Sequence, residues 1–291
     1  YMTGLWLRAW RWQLVLKPTL TISVGDAFAM MMVGFAANNL LPVRAGEVVR
    51  AAMLRQAHGV GWTLGFGTII VERVLDGLVL SVFLALTVAL AGGTMLLGGL
   101  ALLAGVGSVV AVVVLVALAW RLDANMRLIT RLLRFAPARL RPRLRAWVGG
   151  FVGGMTTLRG PRAWAMVTFA TTLSWTAEGV AYWLVGRAFG LDVPALIYAG
   201  ALGAANLALA APATAGGVGP YEFFTREVVV AHGATAAAGT AYALALHALI
   251  VAPLIVLGLF VVWRRRLGLR SLLGSTDDED RAKAEAAMRL Y

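Results

Sequence analysis

Glu72-Arg73-Val74-Leu75-Asp76 sets two carboxylates four residues apart, on one face of a helix, with a guanidinium between them. The run lies inside an otherwise apolar stretch, where ionised groups persist only when paired, hydrogen-bonded or facing a wet cavity. Arg44, Glu47 and Arg50, from an earlier polar segment, are the partners of matching type. Two chemistries fit these six residues and do not exclude each other: a structural ion network, and a polar site whose arginine forks receive a phosphate. An acid–base enzyme would need a nucleophile or a metal cluster beside the carboxylates. The sequence offers no His pair, acid-rich cage or Ser/His arrangement there, so the expectation is a protein without catalytic residues.

A second polar run, Gly216-Gly217-Val218-Gly219-Pro220-Tyr221-Glu222, places three glycines ahead of a helix start, where backbone amides can face an anion. Its bland reading is a tight turn; the functional reading adds Glu222, Arg226 and the later His247 to a binding site. The run belongs to the second of two Gly/Pro-punctuated interruptions, Ala36 to Glu47 (with Asn38, Asn39, Pro42) and Ala204 to Gly217 (with Asn206, Pro212), about 170 residues apart. Each interruption is followed by His-Gly (His58-Gly59, His232-Gly233) and by a polar residue on the next helix, Glu72 or His247. Corresponding broken elements mark a transporter of inverted repeats with its site where they meet, against the alternative of chance agreement between Ala/Gly-rich segments.

These residues need a scaffold that faces lipid. The chain is 60% hydrophobic and 14% charged with a mean hydropathy of +0.80, the composition of a multi-pass membrane protein. Its excess of 26 Lys+Arg over 14 Asp+Glu sits in connections flanking apolar spans, which argues for the positive-inside rule and against nucleic acid. The absence of cysteine excludes disulfides and Cys-ligated metals, and His58, His232 and His247 lack ligand spacing; neither a cofactor nor a metal is expected. Four stretches, Thr63 to Ala91, Met95 to Trp120, Ala163 to Phe189 and Ala241 to Trp263, reach the roughly 20 residues that cross about 30 Å of hydrocarbon. The arginines between 121 and 162 and after 263 put those segments on the cytoplasmic side of the cell membrane. With Arg8, Arg11 and Lys17 also read as cytoplasmic, Val24 to His58 and Ala195 to Gly233 become two re-entrant hairpins, the first with its tip near Pro42.

The expected fold is an all-α integral membrane protein, a polytopic helix bundle with two re-entrant helical hairpins in an inverted repeat. Residues 1–263 form one domain, with repeat halves over about 20–120 and 163–263 joined by the basic segment 121–162. Residues 264–291 form a tail whose end, Asp277 to Tyr291, reads as a short exposed helix or a disordered stretch. The chain opens in an already amphipathic stretch without a signal-peptide layout, so a preceding span is expected to be absent from it.

Arg11-Trp12 with Leu16, Asn38-Asn39-Leu40-Leu41-Pro42-Val43-Arg44-Ala45-Gly46-Glu47-Val48-Val49-Arg50, Glu72-Arg73-Val74-Leu75-Asp76 and Gly216 to Glu222 run in one order over almost the whole chain. In these motifs the chain resembles the lysylphosphatidylglycerol synthase transmembrane region family, flippase-like integral membrane proteins. The resemblance implies movement of lipids between leaflets. Bifunctional members of that family append a soluble aminoacyltransferase domain, whereas only Arg264 to Tyr291 follow the last span here; the resemblance is to a stand-alone member that does not itself make an aminoacylated lipid. His247 departs from an arginine common in the family on the last helix.

The expected substrate is an anionic phospholipid or polyprenyl phosphate, met by Arg44, Arg50 and Arg73 while Glu47, Glu72 and Asp76 orient them. Asn38, Asn39, Gly216, Gly217, Gly219, Glu222, Arg226 and His247 complete the site. No nucleotide-binding loop is present, which leaves passive scrambling or proton coupling through the carboxylates. The competing reading is a non-transporting partner of a lipid-synthesising enzyme, acting through the basic segment; a homodimer is also compatible through small-residue faces such as Gly149, Gly150, Gly153 and Gly154.

Overall fold

The computed structural model describes residues 1–41, 45–120, 141, 144, 148, 154, 160–209 and 215–266, with the side chains of 118–120 excepted. Pro42, Arg44, Pro212, nearly all of the basic segment 121–162 (Gly149, Gly150 and Gly153 included) and the tail from 267 lie outside the described residues. Among the described residues the chain is helical without strands: α1 Met2–Leu16, α2 Val24–Leu40, α3 Gly46–His58, α4 Trp62–Ala91, α5 Met95–Trp120, α6 Pro161–Ala188, α7 Ala195–Ala208, α8 Pro220–Ala231 and α9 Ala236–Arg264. The chain is an all-α integral membrane protein.

Local sequence sets the helix ends. Ser23 and Thr235 cap α2 and α9 by accepting from the amides of Asp26 and Ala238, and Pro161 and Pro220 open α6 and α8 where a missing amide is harmless. Gly59 and Gly92 close α3 and α4 with φ of 67° and 84°, a conformation that a Cβ would strain. Three of the four expected spans are helices long and apolar enough to cross a membrane: Trp62–Ala91, Met95–Ala117 and Ala236–Arg264. The fourth is α6, whose 28 residues extend about 42 Å at 1.5 Å per residue. It is less apolar because Thr171, Ser174 and Glu178 are buried against the protein interior while Phe169 and Leu184 face outward.

The two polar interruptions each join a pair of short helices. α2 and α3 have 17 and 13 residues, α7 and α8 have 14 and 12. At 1.5 Å per residue all are under the roughly 30 Å of a hydrocarbon core. Each pair packs on the long helix of the other half: α7 on α4, and α2 on α9. Glycines allow both approaches. A Cβ on Gly203 of α7 would sit 2.7 Å from the Leu80 carbonyl oxygen of α4, and one on Gly258 of α9 would sit 2.6 Å from the Met32 carbonyl oxygen of α2. The interior divides accordingly, into one cluster with Leu80, Leu84, Tyr182, Tyr198, Leu202 and Tyr242, and another with Trp12, Met30, Met32, Leu54 and Leu254. α5 is the outlier: Leu97 and Leu115 pack inward, while Leu102, Leu103, Val106, Val109, Val110 and Val113 are exposed on an apolar face.

Gly203→Leu or Gly258→Leu forces these backbones apart, and each is expected to lower stability in detergent by about 1–3 kcal/mol or more. Gly98→Leu, on open α5, is expected to leave it unchanged. Thermal unfolding followed by size-exclusion recovery reads the difference.

Candidate functional site

The carboxylates of Glu72 and Asp76 meet two guanidiniums inside the bundle. Arg11 of α1 donates to Asp76 through Nη1 and to Glu72 Oε1 through Nη2 at 3.1 Å. Arg50 of α3 donates to Glu72 Oε2, and the Trp175 indole of α6 donates to Asp76 Oδ1 at 2.8 Å. Thr171 receives a further bond from Arg11 at 3.3 Å, and the face of Trp12 lies 3.9 Å below the Arg50 guanidinium. All four ionic side chains are at most 9% exposed. In such surroundings each charge is tolerated because the others neutralise and hydrogen-bond it. Arg73 is different in kind. It is 43% exposed and reaches Glu47 at 3.4 Å and Asp76 at 3.8 Å from the margin of the network.

Beside this frame lies a cavity of about 130 Å³, room for several waters or one phosphate group. The ends of both short-helix pairs converge on it: Asn38 and Asn39 from α2, Asn206 from α7, and Gly216 and Gly217 from the turn before α8. Asn39 and Asn206 are held alike, each donating to the carbonyl four residues back, Phe35 at 2.8 Å and Leu202 at 3.0 Å. Asn38 Oδ1 accepts from the Gly46 amide at 2.7 Å, tying the first pair together. Cations and an acid share the walls. Arg73 is one, and Arg8 is another, bound to Glu178 at 2.5 Å and stacked 3.9 Å over Trp175.

His247 of α9 supplies the opposite wall. Its Nδ1 lies 2.6 Å from Glu222 Oε1 and its Nε2 lies 3.0 Å from the Gly216 carbonyl oxygen, while the Tyr221 ring stacks on it at 4.3 Å. The other oxygen of Glu222 accepts from the Gly219 amide at 2.7 Å. The anion met by that amide is therefore the chain's own carboxylate, where the sequence suggested a bound ligand. Gly216 and Gly217, with φ of 66° and 76°, make the close turn that brings this backbone to the cavity.

Of the residues expected at a site, Asn38, Asn39, Arg73, Gly216, Gly217 and His247 line the cavity. Glu47, Arg50, Glu72 and Asp76 belong to the adjoining ion frame, and Arg44 lies outside the described residues. Arg226 points elsewhere, pairing with Glu227 at 2.5 Å and Thr240 at 3.1 Å. The clearest correction concerns Arg11, read above as a cytoplasmic flank but 2% exposed at the centre of the frame. An arginine among tryptophans and leucines near a chain start has the sequence pattern of an interfacial helix, and only the tertiary fold turns it inward. Sequence reasoning also missed Arg8, Trp175, Glu178 and Tyr221. Glu178 was findable, being the only acid in the span expected over Ala163 to Phe189.

The sequence signature of the lysylphosphatidylglycerol synthase TM region matches residues 1–258. A UPF0104 membrane protein of Methanothermobacter thermautotrophicus is 30% identical over 227 residues, which cover 72% of this chain. The match spans 66% of that relative's length, just under two thirds. No solved structure matches the chain.

Arg11→Ala takes from Asp76 its buried guanidinium and leaves Glu72 with Arg50, and is expected to lower stability by about 3–5 kcal/mol, against less than about 0.5 kcal/mol for the half-exposed Arg226→Ala. Thermal unfolding in one detergent compares the two. Equal effects would show that burial does not make Arg11 special.

Proposed function

Because the chain belongs to the lysylphosphatidylglycerol synthase transmembrane-region family, a membrane family linked to lipid metabolism, we propose that it moves an anionic lipid head group between leaflets through the cavity. The observation that carries this reading is the convergence of Asn39, Asn206, Arg73 and His247, from both halves of the chain, on one polar cavity inside a lipid-facing bundle. A phosphate crossing hydrocarbon unassisted loses its hydration without replacement, and a lined polar path removes much of that penalty.

In this mechanism Arg73 meets the phosphate, since it is half-exposed at the cavity and its fork matches phosphate oxygens. Glu47 and Asp76 compete for the same guanidinium, which keeps lipid binding reversible. Arg11 and Arg50 stay with Glu72 and Asp76 and hold the frame. Asn39 and Asn206 offer amide groups to phosphate or glycerol oxygens, and His247 presents a second hydrogen-bonding group to the same cavity. The acyl chains remain in the bilayer. The short-helix pairs act as re-entrant hairpins inserted from opposite faces, and rocking one half against the other exposes the cavity to each side in turn. Each hairpin rides on the other half's long helix, so such a movement shifts both. The arginine excess sets residues 121–162 and the C-terminal tail on the cytoplasmic side of the cell membrane.

Reconstituted vesicles carrying fluorescent phosphatidylglycerol, with dithionite quenching of the outer leaflet, test the proposal. Arg73→Ala removes one charge-assisted contact of about 1.5 kcal/mol and is expected to slow transfer roughly tenfold while the protein still inserts and folds. His247→Phe is expected to slow transfer, and His247→Arg to retain it. Wild-type rates in both Arg73→Ala and His247→Phe would rule out this route.

A further inference from the structure

A second concavity, distinct from the polar cavity, lies on the lipid-facing side between α4, α6 and α7. Its volume is about 510 Å³ and its walls are almost wholly apolar, with Phe83 and Leu86 from α4, Gly179, Val180 and Trp183 from α6, and Ala199 from α7. Leu86, Val180 and Trp183 are 46%, 48% and 40% exposed, so the hollow is open to its surroundings. Water would gain nothing from such walls, and the solvent available to them is hydrocarbon.

The position of the groove adds a polar end. Successive helix residues turn by about 100°, so Arg187, four beyond Trp183, lies on the same face of α6 one turn nearer its C-terminus. Its side chain is 54% exposed and touches Asp192 at 3.2 Å through one nitrogen, Nη1. A tryptophan with an arginine one turn beyond marks the head-group level of a bilayer. Small residues, Gly179 and Ala199, form part of the groove's wall, where a larger side chain would fill it.

We propose that this groove is a binding site for one phospholipid, an acyl chain lying against Phe83, Gly179 and Ala199 and the phosphate meeting Arg187. The occupant is amphipathic because the site is, and the charge at its lip suits an anionic head group. The site shares α6 with the cavity but uses a different face: Trp175 and Glu178 point to the cavity, Gly179, Val180 and Trp183 to the groove. The groove therefore holds a resident lipid and does not depend on transport through the cavity.

The full chain in nanodiscs, with phosphatidylglycerol or phosphate-free diacylglycerol bearing a diazirine in the same acyl chain, tests this by photolabelling and peptide mass spectrometry. Phosphatidylglycerol label is expected to concentrate on Leu86, Val180 and Trp183 over the exposed leucines of α5. Arg187→Gln removes an exposed contact of at most about 1 kcal/mol and is expected to cut that label roughly fivefold while leaving diacylglycerol label unchanged. Ala199→Phe fills the groove and is expected to remove both labels; if it does not insert, Val180→Trp on the rim serves the same purpose. Label spread evenly over α5 and the groove, Arg187→Gln without effect, or Ala199→Phe that inserts yet keeps both labels would each overturn the proposal. Loss of groove label with unchanged leaflet transfer would leave the function proposed for the cavity intact.

Discussion

Ionised groups buried in a bilayer must find one another, and that requirement organises this protein. Arg11, Arg50, Glu72 and Asp76 come from three helices, with Trp175 and Thr171 from a fourth, and none of the four charges is tolerable without the rest. The frame fixes how α1, α3, α4 and α6 sit together, which in turn sets Arg8, Arg73 and Glu178 along one side of the cavity. Rigidity and polarity thus arise from the same residues, and the adjoining cavity inherits both.

The second half of the chain solves the corresponding problem with weaker charges. Where Glu72 of α4 takes a guanidinium from α3, His247 of α9 takes a carboxylate from α8. The acid and base have exchanged places between the long helix and the short one. Asn39 and Asn206 repeat the same bond to the preceding turn, and Gly203 and Gly258 allow the same close crossing. These parallels are geometric, and they extend the faint echo of His-Gly and Asn motifs in the sequence.

The fold was legible wherever one period or one composition dominated. Thr63 to Ala91 and Met95 to Trp120 read as spans because apolar residues leave no alternative, and the Ser23 cap and Gly59 stop are local chemistry. Glu72 and Asp76 stood out because charge is anomalous in such a helix. Arg11 did not, since its fate depends on α4 and α6, sixty and more residues away. Glu222 was read as part of an anion site and is instead the capping anion, a distinction that rests on where its side chain turns. Partners brought together by tertiary contact carry no mark in a one-dimensional pattern.

The reciprocal seating of the short-helix pairs bears on how the chain is made. α2 rests on α9, which is made roughly two hundred residues after it, whereas α7 is made after α4, the helix it rests on. During synthesis the first pair therefore waits for its seat while roughly two hundred further residues are made, packed meanwhile on α1. Synthesis of α9 is the event that gives the first short-helix pair its seat.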